Sequence, residues 1–413
     1  MATGASTSSI RSVIAEPVLR VAAGATFVIM LGYGLIVPVL PLFARSFGVG
    51  RTEVGVLVST FALMRLVFDL VGGPLVDRFG GRPVAAGGAL VVGISAALSA
   101  AAPSFPLLVA FRAIGGAGSS VMFAAVMHHV IRSVPAARMG RSMSVFQASI
   151  LLGTVMGQPV GGVLAEAFGL ASPLVAYAGA CFVSAAVLLR YLPSREALRE
   201  PQAADEVVAE TDAPLPSAWG RVRGLLSGRA FVTALFANAV FFWTFGAVRM
   251  TLVPLFADEV VGLSASRIGA ALGAAGVAHF LVMWKAGALA DSRGRKVVLM
   301  PGLAGLAAVT AAIGLATSGT LLVLVMAALG VVTGLVGVVP AAVVADVAPR
   351  RVSGTAVGMY RFAGDLGLVI GPLTAGVLAD VVGFQGAFAA TAAPYLAVLL
   401  LARGMPETLR RGS

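Results

Sequence analysis

The chain has 413 residues, 59% hydrophobic and 11% charged, and a formal net charge of +11. An average soluble domain carries roughly 25% charged residues, so a water-soluble fold is excluded: only a bilayer can solvate this much apolar surface. The basic excess is the usual footprint of nucleic-acid binding, but here it follows the loops between apolar runs, which excludes that partner.

A helix needs about 20 apolar residues to cross the hydrocarbon. In chain order, spans are expected at 19–43, 52–76, 84–102, 106–130, 142–168, 172–191, 229–256, 265–290, 297–316, 319–345, 353–380 and 384–402. The amino-terminal stretch has no short apolar core followed by a small-residue cleavage site, so the first span reads as a retained helix. With both termini cytoplasmic, 21 Lys and Arg residues fall in cytoplasmic segments and 3, Arg45, Arg51 and Arg267, in outer loops. The positive-inside rule fixes that orientation, in the cell (inner) membrane. The single cysteine, Cys181, excludes an internal disulfide and reads as a small packing residue.

An internal repeat runs through the spans. Gly73-Pro-Leu-Val-Asp77-Arg-Phe-Gly80 resembles Gly287-Ala-Leu-Ala-Asp291-Ser-Arg-Gly294, 214 positions later. Gly153, Gly157, Gly162 and Glu166 recur at the same offset of 214 as Gly367, Gly371, Gly376 and Asp380. Val134-Pro135 and Ala348-Pro349 keep it too, and Pro41-Leu-Phe-Ala44 matches Pro254-Leu-Phe-Ala257 at 213. One offset across separate motifs makes residues 1–192 and 229–413 two parallel six-helix bundles, the second ending in a short cytoplasmic tail. Such repeats are related by an axis along the membrane normal and bind solute where they meet. Residues 193–228, with Glu200, Asp205, Glu206, Glu210 and Asp212, read as a cytoplasmic linker whose end, from Trp219 to Phe231, lies along the inner interface.

The loop motif resembles that of the major facilitator superfamily, in particular the drug:proton antiporter branch with twelve spans. The family pattern G-x-L-x-D-R-x-G-R-R/K is met by Gly73, Leu75, Asp77, Arg78, Gly80 and Arg82, with Gly81 in place of one basic residue. The second copy has Gly287, Leu289, Asp291, Gly294, Arg295 and Lys296. The resemblance implies an all-α membrane fold of two pseudo-symmetric six-helix bundles. It also implies that Asp77 meets the start of the eleventh helix, near Ser353 and Gly354, where a helix dipole favours an anion. By the repeat, Asp291 meets the start of the fifth helix near Ser142. Leu108-x3-Arg112-x3-Gly116 resembles the family's fourth-helix motif, and Gly153, Gly157, Gly161 and Gly162 resemble its antiporter glycine motif, with Pro159 displaced by one place. Close helix packing is an equal reading of those glycines.

Ionisable residues inside spans are rare and usually functional. They are Arg65, Asp69, Arg112, Arg249, His279, Lys285, Arg361 and Asp365, while His128 and His129 are expected to be wet interfacial residues. Arg65/Asp69 and Arg361/Asp365 are spaced as local i,i+4 pairs. They also match crosswise in depth, Asp69 and Arg361 roughly 12 Å from the cytoplasmic helix ends and Arg65 and Asp365 roughly 18 Å. In the family the second and eleventh helices are neighbours, so a crossed ladder, Asp69–Arg361 and Arg65–Asp365, would close the cytoplasmic side. Both readings stand. Asp69 and Asp365 are the candidate proton carriers. Arg65, Arg361, Asp77, Arg78, Arg82, Asp291, Arg295 and Lys296 are the candidate gate and charge network.

Arg112 and Arg249 lack an obvious acid and are candidate solute contacts, as Arg suits carboxylate or phosphate; capping of backbone carbonyls is the other reading. Tyr33, Phe242, Trp243 and Tyr360 complete the candidate solute site. No nucleotide loop, metal-spaced His/Cys set or catalytic triad is present in the sequence, so neither an enzyme nor a metal or other cofactor is expected. The expected function is secondary active transport, as proton-coupled efflux of a small amphipathic molecule by a monomer in the lipid bilayer. Uptake of an organic anion by symport or uniport, and a membrane sensor on a transporter scaffold, are the alternatives.

Overall fold

Apolar runs become helices in a membrane because each backbone N–H and C=O must find its partner within the segment. The computed structural model describes residues 16–134, 138–193 and 217–409, with no strand among them. Among the described residues twelve helices are long and apolar enough to cross a bilayer: α1 (Pro17–Ile36), α2 (Arg51–Phe79), α3 (Gly81–Ala100), α4 (Phe105–Ser133), α5 (Met139–Phe168), α6 (Ser172–Tyr191), α7 (Arg229–Glu259), α8 (Ala265–Arg293), α9 (Arg295–Ile313), α10 (Gly319–Val347), α11 (Ser353–Val381) and α12 (Gly383–Arg403). Each overlaps an expected span.

Three spans are irregular, each for a local reason. The expected first span ends early at Ile36 and resumes as a short helix, Leu40–Arg45, because Pro38 has no N–H to continue the ladder. In α12 the helix breaks at Ala392, just before Pro394. In α7, Thr244–Leu252 winds as a π-helix, a geometry that often marks functional sites. The linker end forms a helix, Ala218–Leu226, with Trp219 exposed; residues 194–216, with the linker's acidic residues, lie outside the described set.

The repeat is written into the backbone. Six described glycines have positive φ, a region open mainly to glycine, and they form three pairs 214 apart: Gly48 and Gly262, Gly80 and Gly294, Gly169 and Gly383. Packing repeats as well. Within the first bundle α1 packs on α5 and α6, and α4 on α2 and α3; within the second α7 packs on α11 and α12, and α10 on α8 and α9. The bundles meet through α2 with α11 and α5 with α8, a pair of contacts related by the same pseudo-symmetry. The first and last described helices, α1 and α12, begin and end respectively on one side of the bundle, termed here the terminal face; the opposite side is the far face.

Candidate functional site

Glycines set how closely the bundles approach. A Cβ at Gly55 of α2 would collide with the Pro372 carbonyl of α11, and one at Gly162 of α5 with the Ala265 carbonyl of α8. Between these helices Ser59 donates to the Val369 carbonyl at 2.6 Å and accepts from the Leu373 N–H at 3.1 Å. All these contacts lie in the halves of these helices next to the far face.

Carboxylates at helix ends seal that face. Asp380, ending α11, accepts from the Thr52 N–H at 2.8 Å and the Thr52 hydroxyl at 2.7 Å, capping the start of α2. Its repeat mate Glu166, ending α5, has Ser264 and Ser266 at the start of α8 as its polar neighbours. Each acid belongs to one bundle and lies at the start of a helix of the other, where the dipole favours an anion. Arg51 adds a clamp: its guanidinium donates to Glu259 of α7 at 2.6 and 3.0 Å and to the Ala379 carbonyl at 2.9 Å. It also lies over the Phe384 ring at 4.3 Å, and Arg45 reaches Glu259 at 3.3 Å. Sequence reasoning missed this latch, having read Arg45 and Arg51 as topology charges alone. The signal was present in the repeated acids of Gly-Val-Leu-Ala-Glu166 and Gly-Val-Leu-Ala-Asp380.

At mid-depth α2 and α11 carry the expected charges. Arg65 Nη2 lies 3.6 Å from Asp365 Oδ1, and Asp365 is buried. Asp69 and Arg361 are the other charged neighbours of Asp365. Asp69 accepts a hydrogen bond from Ser120 of α4, and among the described residues no ion pair joins it to Arg361. Of the crossed ladder one rung is therefore present and the other is not, and the ladder does not close the terminal face. The close contacts of α2 with α11 are at Gly55 with Pro372 and Ser59 with Val369 and Leu373, whereas a Cβ at Gly73, Gly354 or Gly358 would meet nothing within 4 Å. The rung present is the one nearer those contacts.

The terminal face lacks the close glycine contacts that join the bundles near the far face. A Cβ at Gly73, Gly140, Gly287, Gly354 or Gly358, on the terminal halves of α2, α5, α8 and α11, would meet nothing within 4 Å. Accordingly no hydrogen bond among the described residues joins Asp77 to Ser353 or Gly354, and Asp77 and Arg78 are exposed. Arg82 donates to the Leu189 carbonyl of its own bundle. Asp291 pairs with Arg295 on the next helix instead of meeting Ser142 of α5. Arg295 also donates to Asp346 at 3.0 Å, and Glu407 of the carboxy-terminal segment caps α9 through the Arg295 and Lys296 N–H groups at 2.8 and 3.1 Å. Lys296 Nζ donates to the Arg403 carbonyl at 2.6 Å. His129, expected to be wet, is buried: its ring nitrogens lie 3.1 Å from the Ala125 carbonyl and 3.2 Å from that of Pro193.

The candidate solute residues gather around the same axis. Arg112 is 1% exposed, forms no ion pair or hydrogen bond among the described residues, and lies 4.4 Å over the Phe61 ring. It lines a cavity of about 10 Å³ with Tyr33, Leu40, Val58, Phe61, Ala62, Met250 and Leu368, room for about one water molecule. Tyr33 packs on Phe61 and Tyr177 and donates to the Met250 sulfur at 3.3 Å. Arg249, in the π-helical stretch, donates to Gln158 Oε1 of α5 and the Leu272 carbonyl of α8, both at 3.2 Å. It thus joins three helices across the bundle interface. Phe242 packs beside Gly364, the Trp243 indole N–H is buried without an acceptor among the described residues, and the Tyr360 carbonyl accepts from Asn238 at 2.8 Å. His279 is a packing residue, 3.2 Å from the Thr333 hydroxyl.

Two six-helix repeats, joined by glycine contacts and ion pairs near one face and by an Arg–Asp contact at mid-depth, find their counterpart in sequence families. The profile described as Major Facilitator Superfamily matches residues 22–291 and 234–412. The chain belongs to this superfamily. Among curated relatives, the quinolone resistance protein NorA of Staphylococcus aureus is 29% identical over 140 residues, 34% of this chain and 36% of that protein. An uncharacterised transporter of the superfamily from Methanocaldococcus jannaschii is 28% identical over 148 residues, 36% of this chain and 38% of that one. The chain thus spans little more than a third of the length of these relatives. Among solved structures, a bacterial homologue of the human lysosomal transporter Spinster, in an inward-facing and occupied conformation, has a TM-score of 0.75 at 15% identity, covering 94% of this chain and 95% of that one. A point mutant of the nucleoside transporter NupG has a TM-score of 0.74 at 15% identity, covering 94% and 99%. This superfamily member is a multi-pass membrane protein of the major facilitator fold.

Proposed function

We propose that the transporter exports a small amphipathic molecule in exchange for protons, working as a monomer in the inner cell membrane with both termini cytoplasmic. The observation that carries this reading is the Arg65–Asp365 contact between the bundles, with Asp69 and Arg361 beside it. Protonating a carboxylate there removes its attraction for the guanidinium and leaves a buried charge unpaired, which is costly. Proton occupancy and the packing of α2 on α11 are therefore linked. Asp69 and Asp365 carry the proton; Arg65 and Arg361 respond to it. In this reading the basic terminal face is cytoplasmic, and the structure described is the inward-open state. The far-face caps hold that state, and the Asp77 and Asp291 loops engage α11 and α5 in the opposite one. Tyr33, Arg112, Phe242, Trp243, Arg249 and Tyr360 surround the solute path, and the likeness to quinolone resistance proteins supports efflux.

The test is flux of a fluorescent amphipathic dye in proteoliposomes under an imposed pH gradient. The wild-type protein is expected to respond to the gradient, and Asp365→Asn and Asp69→Asn to lose that response. Wild-type flux insensitive to the gradient would remove the proton coupling and leave transport standing. One observation favours a second reading, uptake of an organic anion by symport or uniport: Arg112 is a buried cation with no carboxylate partner among the described residues. Flux of a carboxylate solute that is lost in Arg112→Gln would favour it.

A further inference from the structure

A second cavity lies away from the bundle interface. It is a groove of about 470 Å³ between α1 and α6, lined by Pro17, Arg20, Val21, Gly24, Ala25, Val28, Val183, Ser184, Val187 and Tyr191. The rest of α1 is committed elsewhere: Gly34 presses on Thr154 of α5 and Gly32 on Tyr177 of α6. The stripe Val21, Gly24 and Val28 follows helical spacing on the remaining face, which looks outward from the bundle. Gly24 makes the groove deep, since a Cβ there would meet nothing within 4 Å. The groove floor is satisfied, because Ser184 already donates to the Ala25 carbonyl at 3.2 Å.

Its two ends differ chemically. From Val28 to Val21 the walls are apolar over roughly 10 Å of helix rise. At the terminal face the groove ends at exposed Arg20 and Tyr191, with Arg190 stacked 5.5 Å from the Tyr191 ring. A tyrosine at this level suits the headgroup region. Basic pockets between helices at a membrane surface attract anionic headgroups.

We infer that this groove is a binding site for an anionic phospholipid, whose acyl chain lies along Val21, Gly24, Val28, Val183 and Val187 and whose phosphate pairs with Arg20. A solute cannot account for both ends as economically: the groove opens to the bilayer, and the cation lining it sits at headgroup depth. The site is independent of the transport reading.

The test uses the full-length protein in proteoliposomes containing a photoactivatable phosphatidylglycerol or phosphatidylcholine with the reactive group on the acyl chain. Adducts are mapped by mass spectrometry. Adducts are expected on Val21–Val28 and Val183–Val187, about fivefold more from phosphatidylglycerol, the effect of one basic residue near the surface. Arg20→Gln is expected to remove that preference and Arg20→Lys to keep it. Gly24→Leu, which fills the groove into open space, is expected to reduce adducts from both lipids. Equal labelling by the two lipids, a preference that survives Arg20→Gln, or labelling unchanged by Gly24→Leu would each overturn the assignment.

Discussion

Neutralising Glu259 isolates the far-face latch. Glu259 accepts two bonds from Arg51, at 2.6 and 3.0 Å, and lies 3.3 Å from Arg45. The Arg51 and Glu259 side chains are only 26% and 18% exposed, so water screens the pair incompletely. A hydrogen bond to a charged group contributes about 1.5–3 kcal/mol and an exposed ion pair about 0.2–1 kcal/mol. Glu259→Gln keeps the shape and an acceptor, so a loss of about 1–2 kcal/mol is expected from the state closed at the far face. That loss raises the population open at this face roughly 5- to 30-fold. The assay is labelling of Val58→Cys, a buried position on α2 beside the Arg112 cavity, with a membrane-impermeant maleimide. The native Cys181 is fully buried and does not compete. Labelling is expected to accelerate by that factor in Glu259→Gln and by at least as much in Arg51→Gln, which also loses its contacts to Ala379 and Phe384, with the double variant falling short of the product of the two. A change below about twofold in both single variants would refute the latch, on the scale where 1.4 kcal/mol is tenfold.

Three further predictions follow from the geometry. Gly55→Val puts a side chain against the Pro372 carbonyl between bundles, so it should bias the protein open at the far face with little change in melting temperature. Gly161→Val collides with the Leu35 carbonyl within one bundle, so it should lower the melting temperature in detergent and the folded yield instead. At Glu407, burial pushes the carboxyl up, but the N–H groups of Arg295, Leu409, Lys296 and Thr408 outweigh it and hold it below its ordinary value. Its contribution to stability is thus present above the unfolded value and lost as pH falls through the lower folded one. The melting-temperature gap between wild type and Glu407→Gln should persist at neutral pH and close in acid, and a gap independent of pH would sink the capping role.

Residue patterns alone carried much of the architecture. Twelve spans follow from apolar runs, and the 214-residue offset joins Gly80 to Gly294 and Gly169 to Gly383, where the turns need positive φ. The breaks after Ile36 and at Ala392 were legible in Pro38 and Pro394 but were smoothed over by hydropathy, which averages across single residues. The π-helical stretch of α7 was not read from the sequence, and within it Arg249 reaches α5 and α8, a tertiary contact that hydropathy does not encode.

What the sequence by itself determined is therefore what local chemistry and periodicity control: membrane solvation, helix number, the parallel repeat and the positions of charge within each helix. Which charges meet was decided only by the tertiary structure. Arg65 reaches Asp365 while Asp69 turns to Ser120, and among the described residues Asp77 and Asp291 find no helix end in the other bundle. The cause is where the bundles touch. Glycine contacts at Gly55 and Gly162 bring helices of different bundles together near the far face, while a Cβ at Gly73, Gly287, Gly354 or Gly358 would meet nothing within 4 Å. A contact between two bundles belongs to no single segment, so no local pattern encodes it.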